Sequence, residues 1–111
     1  MITIILPIRN EAKYIKQTLE PILYQKGIEQ EIEILIVDGM STDGTRDIII
    51  KYQKDHPNIH LIDNPEKIVS TGFNRALNES KGDIIIRVDG HCEIAPDYIQ
   101  KCLECLEKIN A

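Results

Sequence analysis

Four short apolar runs, each closed by turn residues and each followed by apolar residues at helical spacing, restrict what this chain can fold into. Residues 2–7 are mostly Ile and Leu and read as a first buried strand, with Pro7 stopping the ladder and Arg9-Asn10-Glu11 forming the loop it delivers. Asn10 is a fitting N-cap for a helix that carries Tyr14, Ile15, Leu19, Ile22 and Leu23 on one face, and Pro21 should bend or end it early. Glu31 to Val37 forms the second strand and ends on Asp38-Gly39. Ser41-Thr42-Asp43-Gly44-Thr45 then offers several N-caps for a helix with Ile48, Ile49 and Tyr52 inward. Asn58 to Ile62 makes a third, shorter strand, and Ser70 or Thr71 starts a helix with Phe73, Ala76 and Leu77 inward and Gly82 capping its end. The fourth strand, about 83–88, is all but wholly apolar at Ile84-Ile85-Ile86 and is expected to be buried on both faces. Ala95-Pro96-Asp97 opens a last helix on which Ile99, Cys102, Leu103, Leu106 and Ile109 share a face.

Strand and helix thus alternate four times, with connections that imply an α/β fold: an open parallel sheet of about four strands, right-handed crossovers and helices on both faces. A doubly wound order 3-2-1-4 puts the topological switch between strands 1 and 4. The loops after strands 1, 2 and 4 then surround one crevice at the carboxyl ends, where ligands of such sheets bind. At 111 residues the chain is the size of one small domain, 1–111.

With 18 acids against 13 Lys plus Arg, and a net charge of −5, the chain lacks the basic footprint of nucleic-acid binding. A phosphate ligand would need a cation to screen those acids. Residues 2–8 have no basic residue before them and are interrupted by proline, so they do not read as a signal peptide, and no run approaches a membrane span. Three cysteines, an odd number, fit reduced thiols and a cytoplasmic protein.

Three acids and an imidazole fall at the crevice. Asp89 and His91, one residue apart just past strand 4, can converge on a divalent cation, with Gly90 between them allowing close approach. Oxygen plus nitrogen donors suit Mn²⁺ better than Mg²⁺, and two ligands leave room for phosphates. The same spacing equally fits an Asp89 that caps the loop beside a solvated His91. Asp38 can accept a hydrogen bond from a base N–H or satisfy amides of its own turn, and Glu11 is most simply a first-turn acid of the first helix. Arg9, Lys67, Arg75 and Arg87 are the cations nearest the proposed rim. Cys102 and Cys105 have C-x-x-C spacing and with Cys92 and His91 would make four zinc ligands, but Cys102 lies on an apolar stripe and reads better as a small hydrophobe.

Taken together, Pro7-Ile8-Arg9-Asn10-Glu11, Val37-Asp38-Gly39-Met40-Ser41-Thr42-Asp43-Gly44-Thr45, Gly72-Phe73-Asn74, Gly82-Asp83 and Asp89-Gly90-His91 resemble the nucleotide-sugar-binding half of a family 2 glycosyltransferase of the GT-A fold. The resemblance runs over essentially the whole chain. It implies a Rossmann-like half that binds a nucleotide-diphosphate sugar with Mn²⁺ or Mg²⁺ for transfer to an acceptor hydroxyl, usually with inversion. It places Pro7, Glu11 and Asp38 around the nucleoside, with Asp38 facing the base, and matches Asp89-Gly90-His91 to the Asp-x-Asp metal motif. Pro7, Arg9, Asn10, Glu11, Asp38, Lys67, Asp89 and Gly90 are the expected donor-binding residues, and Asp89 and His91 the metal ligands. Two departures stand out: Gly39 replaces a second acid, and His91 replaces the motif's last Asp. In that family the acceptor-binding half and catalytic base follow the metal motif, and this chain stops one helix later, so it is expected to be a truncated glycosyltransferase that binds the donor but transfers little or nothing, cytoplasmic itself and at the cytoplasmic face of the membrane in a full-length form. The other reading is a non-catalytic nucleotide-binding fragment whose open sheet edge and uncovered face pair with a second copy.

Overall fold

The structure is a computed structural model that describes residues 1–25, 28, 31–66, 69–88 and 94–110, except the side chains of 69, 70 and 105–110. Strands β1 (Ile2–Ile8), β2 (Ile32–Asp38), β3 (Ile59–Asp63) and β4 (Ile84–Arg87) alternate with helices α1 (Ile15–Leu23), α2 (Thr45–Asp55), α3 (Val69–Glu79) and α4 (Tyr98–Asn110). The sheet is parallel throughout, in the expected order β3-β2-β1-β4. Register aligns Ile8 with Asp38 and Asp38 with Asp63, so three strands end level. Among the described residues no helix is long and apolar enough to cross a membrane.

Alternation along β1 explains how the layers form, because successive side chains point to opposite faces. Ile2, Ile4, Leu6 and Ile8 join Ile34, Ile36 and Ile59 on one face, under Ile15, Leu19 and Ile22 of α1, Ile49 of α2 and Ile99 of α4. Ile5, Leu35, Val37 and Ile62 face the other way, onto Phe73, Ala76 and Leu77 of α3. Among the described residues, three helices therefore cover one face and α3 alone covers the second. Each fully buried Ile contributes about 1.5–3 kcal/mol of hydrophobic free energy.

That imbalance corrects the expectation for β4. Ile86 is buried, but Ile85 is 39% exposed and Arg87 is also exposed, so β4 is an edge strand covered on one face only. Its three consecutive Ile could not reveal this, since α3 crosses the sheet without shielding its far edge. Pro7 does not stop β1 either: it sits inside the strand opposite Val37, and β1 continues to Ile8. The paired stretch of β4 reaches only Ile5, so the amide that Pro7 lacks is not needed on that side.

Helix ends depart from the expected caps as well. Asn10 does not cap α1; its backbone is left-handed (φ 52°), and the Glu11 carbonyl instead accepts from the Tyr14 and Ile15 amides at 2.9 and 2.7 Å. Glu11 consequently precedes α1, whose first turn holds no acid. Pro21 lies within α1, which runs two residues past it. Gly44 precedes α2 at φ 94°, a conformation that favours glycine, while the Asp43 carboxylate accepts from the Thr45 amide. Gly82 is not the cap of α3, which ends at Glu79 with the Ser80 hydroxyl donating to the Leu77 carbonyl. It is a point of close approach: a Cβ there would run into Thr3 Oγ1 and lie 2.7 Å from Thr3 N.

Thr3 belongs to a polar latch at the other end of the sheet. Its hydroxyl donates to Glu33 Oε1 at 2.5 Å and accepts from the Gly82 amide at 2.9 Å, and Glu33 Oε1 also accepts from the Lys81 amide at 2.6 Å. Burial works to raise the Glu33 pKa, but the Lys81 amide and Thr3 hydroxyl, with His60 and Lys81 nearby, outweigh it and hold the carboxyl below its ordinary value. Tyr52 donates to Glu20 at 2.9 Å, and burial followed by that acid pushes the phenol up to about 12.

Candidate functional site

Parallel strands deliver their following loops to one edge of the sheet, and here the loops after β1 and β2 are stitched directly together. The Asn10 amide donates to Ser41 Oγ at 2.7 Å, and Asn10 Oδ1 accepts from the Thr42 amide at 2.8 Å. The Glu11 amide donates to Thr45 Oγ1 at 3.0 Å and the Ala12 amide to Asp43 Oδ2 at 3.1 Å. One further bond, from the Gly39 amide to the Ile8 carbonyl, closes the seam at 2.9 Å. The Ser, Thr and Asp residues that read as alternative helix caps thus serve mainly to hold the neighbouring loop. The Thr45 hydroxyl donates to Asp43 and, as the chief cause, holds that carboxyl below the ordinary aspartate range.

Asp38 anchors the seam from beneath. Its side chain is fully buried, accepting from the Ser41 hydroxyl and, at 3.1 Å, from the Ser41 amide. Arg46, in the first turn of α2, adds an ion pair at 2.7 Å and bridges with its other terminal nitrogen to Asp63 at the end of β3, also at 2.7 Å. The hydrogen bonds to Asp38 and then Asp63 outweigh partial burial and raise the Arg46 pKa above its usual value. Of the two roles open to Asp38, this geometry fits the local one: three of a carboxylate's roughly four acceptor positions are already taken by its own loop and helix. Arg46 carried no signal in the sequence, because nothing there shows that one cation reaches the ends of two strands.

Gly39 is buried against Arg9, whose Cβ, Cγ and Cδ lie 3.3–3.4 Å from where a glycine Cβ would stand. A side chain at that position would press on the stem of the exposed Arg9, which would have to shift by a few tenths of an ångström. Met40 follows at φ 60°, left-handed and 38% exposed, an uncommon conformation for a non-glycine residue and one that concentrates at functional loops. Glu11 is buried beside this seam and Pro7 is half-buried in β1.

The remaining expected residues divide sharply. Arg75 pairs with Glu66 at 3.3 Å on the surface, and the Arg87 guanidinium lies 5.7 Å from the Phe73 ring centre. Lys67, Asp89, Gly90 and His91 lie outside the described residues, as does Cys92. Val88, directly before Asp89 in the sequence, donates its amide to the Ile5 carbonyl at 3.0 Å, which holds Val88 itself alongside β1. A carboxylate and an imidazole at 89 and 91 are a chemically suitable pair for Mn²⁺ or Mg²⁺ whose other positions are filled by water or phosphate oxygen. No cluster of three or more potential ligands occurs among the described residues, and Cys102 packs against the main core as a hydrophobe would.

Comparison with known proteins follows the same line. The model of the family described as Glycosyl transferase family 2 matches residues 3–111. A glucuronosyltransferase of Methanococcus voltae, whose full name is dolichyl N-acetyl-alpha-D-glucosaminyl phosphate 3-beta-D-2,3-diacetamido-2,3-dideoxy-beta-D-glucuronosyltransferase, is 36% identical over 98% of this chain and 35% of its own length. S. aureus TarS, solved in complex with UDP-GlcNAc, superposes with a TM-score of 0.81 at 25% identity, covering 96% of this chain and 31% of that one. The mannosyltransferase PcManGT of Pyrobaculum calidifontis, solved with GDP-Man and Mn²⁺, gives 0.74 at 30% identity over 81% of this chain and 27% of its own. The chain spans about a third of the length of the Methanococcus voltae relative and of the solved TarS chain.

Proposed function

The chain belongs to glycosyl transferase family 2, and we propose that it forms the donor-binding part of such an enzyme, holding a nucleotide-diphosphate sugar and a divalent cation at the carboxyl end of its sheet. The observation that carries this is the stitched seam between the loops after β1 and β2 at the carboxyl end of the sheet; Asp89 and His91 follow β4 in the sequence. Similarity to TarS with UDP-GlcNAc and to PcManGT with GDP-Man and Mn²⁺ supports the ligand class.

Pro7, Arg9, Asn10 and Glu11 form the wall from β1, and Asp38 fixes the shape of the wall from β2. Asp89 and His91 would hold the cation, with Gly90 giving room and Lys67 adding positive charge near the phosphates. The chemistry supplied by a bound Mn²⁺ or Mg²⁺ is neutralisation of the two phosphates as the nucleotide diphosphate departs. Transfer to an acceptor hydroxyl with inversion requires a general base, and no residue of this chain is assigned that role. Isothermal titration calorimetry with UDP and with GDP, each with and without Mn²⁺, tests the reading. Binding of one nucleotide that tightens with Mn²⁺ is expected; binding of neither would refute it.

One observation favours a second reading, self-association. Ile85 is 39% exposed on β4, whose outer edge pairs with no other strand among the described residues. Light scattering showing a dimer that is lost in Ile85→Lys would support it, whereas a monomer would exclude it.

A further inference from the structure

We propose that Met40, a residue to which the donor-site reading gives no role, is a ligand contact whose thioether side chain lies against the face of the nucleobase. Its backbone is left-handed (φ 60°), and its side chain is 38% exposed at the carboxyl end of the sheet. Among the described residues the other non-glycine with positive φ is Asn10, which faces it across the seam. Asparagine enters that region readily; methionine does not.

The conformation is held from both sides. Before Met40, the Gly39 amide donates to the Ile8 carbonyl at 2.9 Å. After it, the Ser41 amide donates to Asp38 at 3.1 Å, and Ser41 Oγ accepts from the Asn10 amide at 2.7 Å. Residue 40 is thus a fixed tip between two pinned neighbours, the setting in which strained residues persist and in which ligand sites concentrate them. Nor does the fold need this side chain, since Met40 belongs to neither core cluster. Glycine would fit the same tip with less strain.

What the seam can offer a ligand follows from the atoms it has already used. Asn10 Oδ1 holds the Thr42 amide, the Ser41 hydroxyl donates to Asp38, and the Asp43 carboxylate takes the Ala12 and Thr45 amides and the Thr45 hydroxyl. These polar groups join one loop to the other. On either side of Gly39 two different surfaces stay open: the exposed Arg9, whose stem packs over that glycine, and the exposed Met40. A nucleoside diphosphate presents two matching surfaces, charged phosphates and a flat base. The cation suits the phosphates. The thioether suits the ring, because sulfur is attracted to aromatic rings and every base has a π-face. The inference rests on the donor-site reading above.

Calorimetry on the whole chain with UDP and with GDP, each with and without Mn²⁺, tests it in three variants. Met40→Asn keeps a residue that tolerates the left-handed backbone and removes the apolar surface. Met40→Gly removes the side chain and relieves the strain. In both, affinity for the nucleotide that wild type binds is expected to fall about two- to twelvefold, the span of sulfur–aromatic contacts. The factor is expected to be the same with and without Mn²⁺, because the contact is to the base. Met40→Leu restores an apolar side chain of similar volume and is expected to recover affinity to within about twofold. Weaker binding together with a raised Tm in Met40→Gly is a pairing that a merely structural role would not produce. Wild-type affinity in Met40→Asn, a loss confined to Met40→Gly, a Met40→Leu as weak as Met40→Asn, or a loss seen only with Mn²⁺ would each overturn the proposal. Absence of nucleotide binding by the wild-type chain would instead remove the donor-site reading, and this inference with it.

Discussion

Arg46→Met isolates what holds the floor of the candidate site. The substitution keeps the aliphatic stem and removes both ion pairs, to Asp38 and to Asp63. Breaking a buried pair by removing one partner costs about 3–5 kcal/mol, because a charge is left uncompensated. Asp38 is fully buried and meets that condition, but Arg46 is 31% exposed and the Ser41 amide and hydroxyl still serve the carboxylate. A loss of about 2–3 kcal/mol follows after that discount. Asp63 is 56% exposed, so Asp63→Asn should cost only about 0.2–1 kcal/mol, as surface pairs do. Urea titration at neutral pH reads both values, and the larger one corresponds to a Tm lower by roughly 10 °C. Arg46→Lys should fall between them, since an ammonium cannot present a planar fork to two acids. Equal costs for Arg46→Met and Asp63→Asn, both under about 0.5 kcal/mol, would refute the idea that the buried half of the bridge carries its energy.

Three further outcomes follow from other parts of the structure. Glu33 has a folded pKa below its ordinary value of 4.5, so its contribution is complete above that pH and is lost as pH falls through the lower folded value; Glu33→Gln should flatten this acid limb, measured as the difference from wild type in urea stability between roughly pH 3 and 6. Met40→Gly relieves a left-handed methionine at about 1–2 kcal/mol and incurs glycine's entropy of about 0.5–1, so it should stabilise by about 0.5–1 kcal/mol, seen as a raised Tm. Gly82→Ala drives a Cβ into Thr3 and should cost about 1–3 kcal/mol in the same measurement, with an unchanged Tm contradicting the close approach.

The alternation of strands and helices is legible because apolar runs and helical spacing alternate without interruption; more than one doubly wound order accommodates that alternation, and the structure shows the expected 3-2-1-4. What escapes the sequence is tertiary in origin. The Ile84-Ile85-Ile86 run reads as buried on both faces, yet whether the second face is covered depends on how far α3 reaches across the sheet. Asn10 and Gly82 have the residue types of helix caps, but each is committed to a partner more than thirty residues away, Thr42 for one and Thr3 for the other. Arg46 escapes for the same reason: a cation in a helix looks solvated until the fold brings two strand ends to it. The motif after β2 is recognisable as a unit, while the division of labour within it becomes visible only in the bonds, with Asp38 turned inward and Ser41, Thr42, Asp43 and Thr45 holding the neighbouring loop.

The cation site is the centre of the proposed function, and one comparison tests it most directly: the Mn²⁺-dependent gain in nucleotide-diphosphate affinity of the wild-type chain against that of Asp89→Asn and His91→Ala. The predicted result is a gain of about tenfold or more in wild type that disappears in both variants, with metal-free affinity unchanged. The same gain in all three proteins would contradict the assignment of Asp89 and His91 as its ligands.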